Sequence, residues 1–405
     1  MRLLISFAAL FLSIAFLQLS SGAMGSLDAL SGLAEDFSQT QIGLLGSAHF
    51  LGFFIGCWWV PRLMGAIGHS RAFAVFSAFG AIGAIAHPML IDPWAWALMR
   101  VMTGLCVAGC FTVVESWLQS KLTNANRGRV MGFYRVVDIG AASVAQFMIG
   151  FLEPAEFVSY NLLAILCCAS LLPLALTQAR QPTVPEAPRL HPIRTAIVSP
   201  LAAAGVLVAG VTTAAFRMVA PVYGAAVGLS PSEIGSFLAV VLIGGAAGQF
   251  PAGWLADTYD RRWVLIGLSA LSVMICAGLA AAGGAGDTLL FVMAFAFGLT
   301  TFPIFSVSAA HANDFATPGE IIEINASLVF IYAIGAVFAP FLGAMLIAVY
   351  GPGALFTLIA GAHVGLLMFG FARMAVRPTR ARTRYRYLPR TSFTIARLLR
   401  RRREE

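Results

Sequence analysis

Residues 324–372 read INASLVFIYAIGAVFAPFLGAMLIAVYGPGALFTLIAGAHVGLLMFGFA, and between Glu323 and Arg373 there is no Asp, Glu, Lys or Arg. A helical membrane span needs ~20 apolar residues. The window is too long for one span, and Gly351-Pro352-Gly353 supplies the break that divides it into two. Outward from this stretch the same pattern continues. The chain has 405 residues, 59% hydrophobic and 11% charged, against about 25% charged in a soluble domain. So few polar side chains cannot cover a soluble surface, which excludes a soluble enzyme, a disordered chain and a coiled coil.

Long charge-free windows place twelve spans near 3–28, 41–66, 71–90, 93–119, 128–152, 156–178, 196–222, 231–257, 262–285, 287–311, 321–348 and 353–375. The expected fold class is an all-α polytopic membrane protein. Forty glycines fit close helix packing in lipid, and continuous apolar runs argue against a β-barrel. Arg2, the apolar stretch after it and Ser21-Gly22-Ala23 resemble a cleavable signal peptide. The run from Leu3 to Leu27 is too long for that, and an uncleaved first helix is expected. Six cysteines (57, 106, 110, 167, 168 and 276) lie in apolar runs without metal spacing and read as small buried residues.

Basic residues fall on one side of the spans: Arg2, Arg62, Arg71, Lys121, Arg127, Arg129, Arg180, Arg189, Arg194, Arg261, Arg262, Arg373 and the tail. The opposite loops carry Asp28, Glu35, Asp36, Asp92, Glu153, Glu156, Glu233 and Asp287, with no Lys or Arg. The positive-inside rule then puts both termini in the cytoplasm. The loop His311–Glu323 breaks the trend, with Asp314, Glu320 and Glu323.

A shift of 192 residues lays Ser38-Gln-Thr-Gln-Ile42-Gly43 over Ser230-Pro-Ser-Glu-Ile234-Gly235, Gly52 over Gly244 and Gly56 over Gly248. Two similar six-helix halves are expected. They are residues 1–179 and 196–375, joined by a cytoplasmic linker at 180–195 and followed by an Arg-rich tail at 376–405. Duplicated bundles of this kind are a transporter architecture.

Gly253-Trp-Leu-Ala-Asp257-Thr-Tyr-Asp-Arg261-Arg262 resembles the loop signature of the major facilitator superfamily. Arg100-Val-Met-Thr-Gly104 and Gly335-Ala-Val-Phe-Ala339-Pro340-Phe-Leu-Gly343 are similar to two further motifs of that family. Glu115-Ser116-Trp117 with Arg127-Gly128-Arg129 resembles its bacterial YcaD-like branch. Thr258 stands where the signature has a basic residue and Asp260 where it has Gly; the first-half position matching Asp257 is Gly65. The resemblance implies two pseudo-symmetric six-helix bundles and a multi-pass protein of the bacterial inner membrane. It also implies that span 2 faces span 11 and span 5 faces span 8. On that arrangement Arg62 and Arg71 oppose Glu320 and Glu323, and Arg127 and Arg129 oppose Asp257 and Asp260. The expected device is a cytoplasmic gate of ion pairs; the competing reading is solvated loop charge, each pair worth ~0–1 kcal/mol.

Charges inside the membrane cost at least ~2.5–3.5 kcal/mol and mark mechanism. Arg100, about 11 Å below the outer face, is a candidate substrate or coupling residue, against a structural pair with a neighbouring carboxylate. Arg135 and Asp138 share one face of span 5. Asp138, roughly 16 Å deep, is a candidate proton carrier, against a static ion pair. Arg217 is a candidate for an outer latch with Asp28, against snorkelling to the headgroups. Gln18 is a candidate hydrogen-bonding wall residue, and Glu115 a structural partner of Arg127 or Arg129. His49, His87 and His363 read as packing residues; Trp58, Trp59, Trp94 and Trp96 read as an interfacial belt.

The tail from Val376 holds eleven Arg and two Glu, so anionic inner-leaflet lipid is its expected partner. Residues 395–400 could there form an amphipathic helix, against a disordered tail that enforces topology. No nucleic acid, metal, cofactor or enzymatic motif is expected. The functional expectation is a secondary active transporter moving a small solute by alternating access. It is proton-coupled, with export as one option, and the arginines suggest an anionic or a neutral solute. The alternative is a membrane sensor or scaffold acting through the basic tail.

Overall fold

The computed structural model describes residues 7–122, 127–177, 181–182, 190–281, 287–317 and 320–376. The described elements are helical. They are α1 (Ala8–Ala34), α2 (Gln39–Ile67), α3 (His69–Ala86, with the 3₁₀ turn His87–Met89), α4 (Pro93–Ser120), α5 (Arg127–Met148) and α6 (Phe157–Ala169 with Leu171–Leu176). A linker helix, Pro192–Val198, precedes α7 (Pro200–Ala226), α8 (Pro231–Thr258), α9 (Arg261–Ala281), α10 (Asp287–Thr301 with Pro303–Asn313), α11 (Ile321–Tyr350) and α12 (Ala354–Val376). Of these, eleven are long and apolar enough to cross a membrane. The exception is α5, whose 22 residues include Arg127, Arg129, Arg135 and Asp138; at 1.5 Å per residue it still matches the ~30 Å hydrocarbon core. The expected break at 351–353 is real, with Gly351 at φ 86 between α11 and α12. Residues 1–370 form one compact unit; the second unit, 371–405, is described only to Val376, where the last helix ends. The Arg-rich tail beyond Val376, with the amphipathic helix expected at 395–400, and Arg2, Arg180 and Arg189 lie outside the described residues.

The repeat seen in the sequence recurs as local geometry. Ser38 and Ser230 cap α2 and α8 with the same reciprocal box, to Gln41 and Glu233. Gly52 lies under the Val101 carbonyl of α4, and Gly244 under the Phe295 carbonyl of α10. A Cβ added at either would stand 2.1 and 2.2 Å from those oxygens. Glycine is therefore required at both, because the helices touch backbone to backbone.

One boundary differs from expectation. The first span runs to Ala34, so Asp28 lies inside α1 and is buried, not in an outer loop. A charge ends a span only if it has no partner in the bundle, and Asp28 has two.

Candidate functional site

A cavity of about 250 Å³ lies between the halves. Gln18, Ser21, Gly22 and Gly25 of α1 line it, with His49, Phe50 and Phe53 of α2, Val107 and Phe111 of α4, and Asp138 and Gln146 of α5. From the second half come Phe216, Arg217 and Met218 of α7, Leu238 and Leu242 of α8, and Tyr332 of α11.

The acidic-loop side of this cavity is sealed by close packing of one half on the other. Gly43 and Gly46 of α2 sit against Pro340 of α11, and Ser47 Oγ accepts from the Phe341 N–H at 3.1 Å. Gly235 of α8 lies under the Gln146 carbonyl, and Gly150 meets Ser232. Small residues occupy each contact because only they allow this approach. Phe54 of α2 packs on Phe330 of α11, with ring centroids 4.5 Å apart.

Gln18 and Asp138 meet in the cavity wall. The Gln18 amide donates to Asp138 Oδ1 at 2.5 Å, and Arg135 donates to Oδ2 at 3.2 Å. Asp138 is buried, whereas the Arg135 side chain is largely exposed. Gln146 is fully engaged within the first half: it donates to the Gly22 carbonyl and accepts from Ser26. His49 pairs with Thr103 at 3.3 Å, and His363 Nε2 with Thr212 at 3.2 Å, both inside the packed helices.

Arg100 does not line the cavity. It is buried beside it, its Nε 3.3 Å from Asp28 Oδ2 and its Nη2 3.4 Å from Met218 Sδ across the interface. His87 Nε2 lies 3.4 Å from the same Asp28 oxygen, and Tyr160 stacks flat on the imidazole at 5.3 Å. The outer latch is therefore corrected. Asp28 pairs with Arg100 and His87, and no ion pair joins it to Arg217 among the described residues. His87 carries more than packing; its place directly after the last residue of α3 gave no sequence signal. Trp96 is buried against His87 and is no belt residue, unlike the exposed Trp58 and Trp94.

On the basic face the expected partners are not brought together. Glu320 binds Arg194 of the linker helix at 2.6 Å; Asp257 lies 3.5 Å from Arg261; Arg262 binds Asp260 at 2.8 Å. Arg261 also donates to the Ala310 carbonyl at 2.8 Å and pairs with Asp314, fastening the start of α9 to the end of α10. Arg62 turns back onto its own helix, donating to the Trp58 carbonyl and lying over the Trp58 ring. No described ion pair joins Arg62, Arg71 or Arg129 to the opposite half; the Arg127 side chain lies outside the described residues. With the halves sealed on the other face, Asp257, Asp260, Asp314 and Glu320 each have a partner in their own half or the linker helix. Glu320 keeps its carboxyl below the ordinary glutamate value, held by hydrogen bonds from Thr317 and by Arg194. Glu115, likewise, accepts from the Tyr134 hydroxyl at 3.0 Å.

A cavity between two six-helix halves defines a membrane transporter architecture. Residues 201–403 match the family model described as Major Facilitator Superfamily. An uncharacterized MFS-type transporter of Enterobacter sp. (strain 638) is 29% identical over 82% of this chain and 87% of its own length. The MFS-type transporter YcaD of Escherichia fergusonii is 25% identical over 82% and 87%. Solved structures share the fold at low identity. The nucleoside transporter NupG superposes with TM-score 0.74 at 13% identity, over 92% of this chain and 99% of its own. A D-xylose-proton symporter gives 0.72 at 14%, over 91% and 97%. The chain belongs to the major facilitator superfamily, and it is a multi-pass protein of the bacterial inner membrane.

Proposed function

We propose that the chain is a proton-coupled secondary transporter that moves a small solute by alternating access, with both termini in the cytoplasm. The observation that carries this is the cavity itself: it is walled by helices of both halves and holds the buried carboxyl of Asp138. The structural likeness to a D-xylose-proton symporter supports coupling as a family option. In this reading the state described here is open toward the cytoplasm. Asp138, held by Gln18 and Arg135, is the proton carrier of this reading, and the solute competes for those two partners.

The gate belongs to the opposite state. When the halves rock together on the basic face, Arg62 and Arg71 meet Glu320 and Glu323, and Arg127 and Arg129 meet Asp257 and Asp260. Arg194 must then release Glu320.

Reconstitution in proteoliposomes tests the proposal. Solute pools are screened for flux with and without a pH gradient, beside Asp138→Asn. Gradient-driven flux lost in the variant is the expected result, and gradient polarity reports uptake or export. Flux that ignores the gradient and is identical in the variant removes the proton-carrier reading. Loss of all function on deleting residues 376–405, with ligand binding but no flux in the intact chain, would favour a sensor.

A further inference from the structure

We propose that the solute is a small amphipathic monoanion, its anionic group on Arg217 and its apolar body against Phe50, Phe53, Phe111 and Phe216. This deepens the transport reading and rests on it.

The charge balance of the cavity wall carries the inference. Asp138 is matched by Arg135 and Gln18. Asp28, the carboxylate expected for Arg217, is matched by Arg100 and His87. Arg217 lines the cavity from α7, and no carboxylate pairs with it among the described residues. The wall thus presents one unmatched positive charge. A guanidinium inside a membrane protein requires a counter-charge or water, and its planar fork fits a carboxylate bidentately.

The remaining surface selects the body of the solute. Four phenylalanines with Leu238 and Leu242 face the cavity. The polar side chains that a polyol would need are already engaged, Gln146 with Gly22 and Ser26, and His49 with Thr103. A cationic solute meets Arg217 and a carboxylate already neutralised. About 250 Å³ lies just under the ~300–1,000 Å³ of drug-sized sites, which suits one ring with a short acidic arm.

The test uses purified full-length protein in detergent and four probes: phenylacetate, neutral phenylacetamide, cationic phenethylamine and D-xylose. The readout is a saturable rise in the thermal unfolding midpoint. Phenylacetate alone should stabilise. Arg217→Gln should weaken that effect roughly tenfold or more, and Arg217→Lys should retain part of it. Equal stabilisation by phenylacetamide, phenethylamine or xylose, no response to phenylacetate, or an unchanged response in Arg217→Gln overturns the proposal. If Arg217→Gln does not fold, the probe panel on the intact protein and Arg217→Lys decide. Proteoliposome flux separates the two readings. Flux of a neutral or cationic probe without phenylacetate binding rejects the anion site and keeps transport. Phenylacetate binding without flux of any probe keeps the site and rejects transport.

Discussion

Gly52 and Gly244 stand 192 residues apart and do the same thing, each lying under a carbonyl of the next packed helix. Gln18 and Gly210 stand in the same relation, and there the halves part. Gln18 reaches Asp138 of α5 through a hydrogen bond. Gly210 lies directly under the Tyr332 carbonyl of α11. The first half holds Asp28, Arg100, Glu115, Arg135 and Asp138 within its helices; the second half holds Arg217, its other charges lying near helix ends. Duplication has kept the scaffold and left the chemistry lopsided. One half is a charged framework with internal partners, and the other offers an apolar wall and a single cation.

That asymmetry can be broken most forcefully at Arg100. Arg100→Ala leaves Asp28 buried without its cation, at a cost of about 3–5 kcal/mol. Arg217→Ala, which breaks no ion pair among the described residues, should cost far less. Thermal unfolding in detergent compares them, and equal losses would abolish the distinction between halves. Gly52→Ala and Gly244→Ala probe what the halves share. Each forces two backbones apart, so both should lose about 1–3 kcal/mol by the same assay, and a marked inequality would mean the scaffold too has diverged.

Asp138→Asn is the functional counterpart. Gradient-driven accumulation should be lost, a fall of at least about tenfold, while solute exchange without a gradient persists. The smallest effect lies at the linker. Glu320, with its depressed value, contributes stability fully present above the ordinary 4.5 and lost as pH falls through the lower folded value. Wild type should lose stability below about pH 4.5 slightly more than Glu320→Gln, as read by unfolding midpoints across pH 3–6.

The helices were legible because lipid demands long uncharged runs, and the 324–372 window alone dictates two. The repeat was legible because caps and backbone contacts need Ser and Gly at fixed places. Asp28 was misread for a physical reason: sequence registers a charge, but not the partners His87 and Arg100 that let it stay inside a helix. The expectation for Arg100 included a neighbouring carboxylate, and the missing knowledge was which one. The local partners of the gate acids were not legible either, since opposite signs across an interface say nothing about Arg194 or Arg261 being nearer in this state. Asp138, Gln18 and Arg217 stand out in the sequence because polar groups deep in apolar runs are rare, and all three line the cavity.

The burial of Asp28 also has a consequence for how the chain is made. Its carboxylate enters the membrane with α1, whereas Arg100 follows 72 residues later (100 − 28). At roughly 5–20 residues per second the acid is made several seconds before its cation. His87 arrives first and is the earlier of its two partners. Maturation of the amino-terminal helices is thus a timed neutralisation. Variants at Arg100 should surface as chains degraded during biogenesis before any defect in flux can be scored.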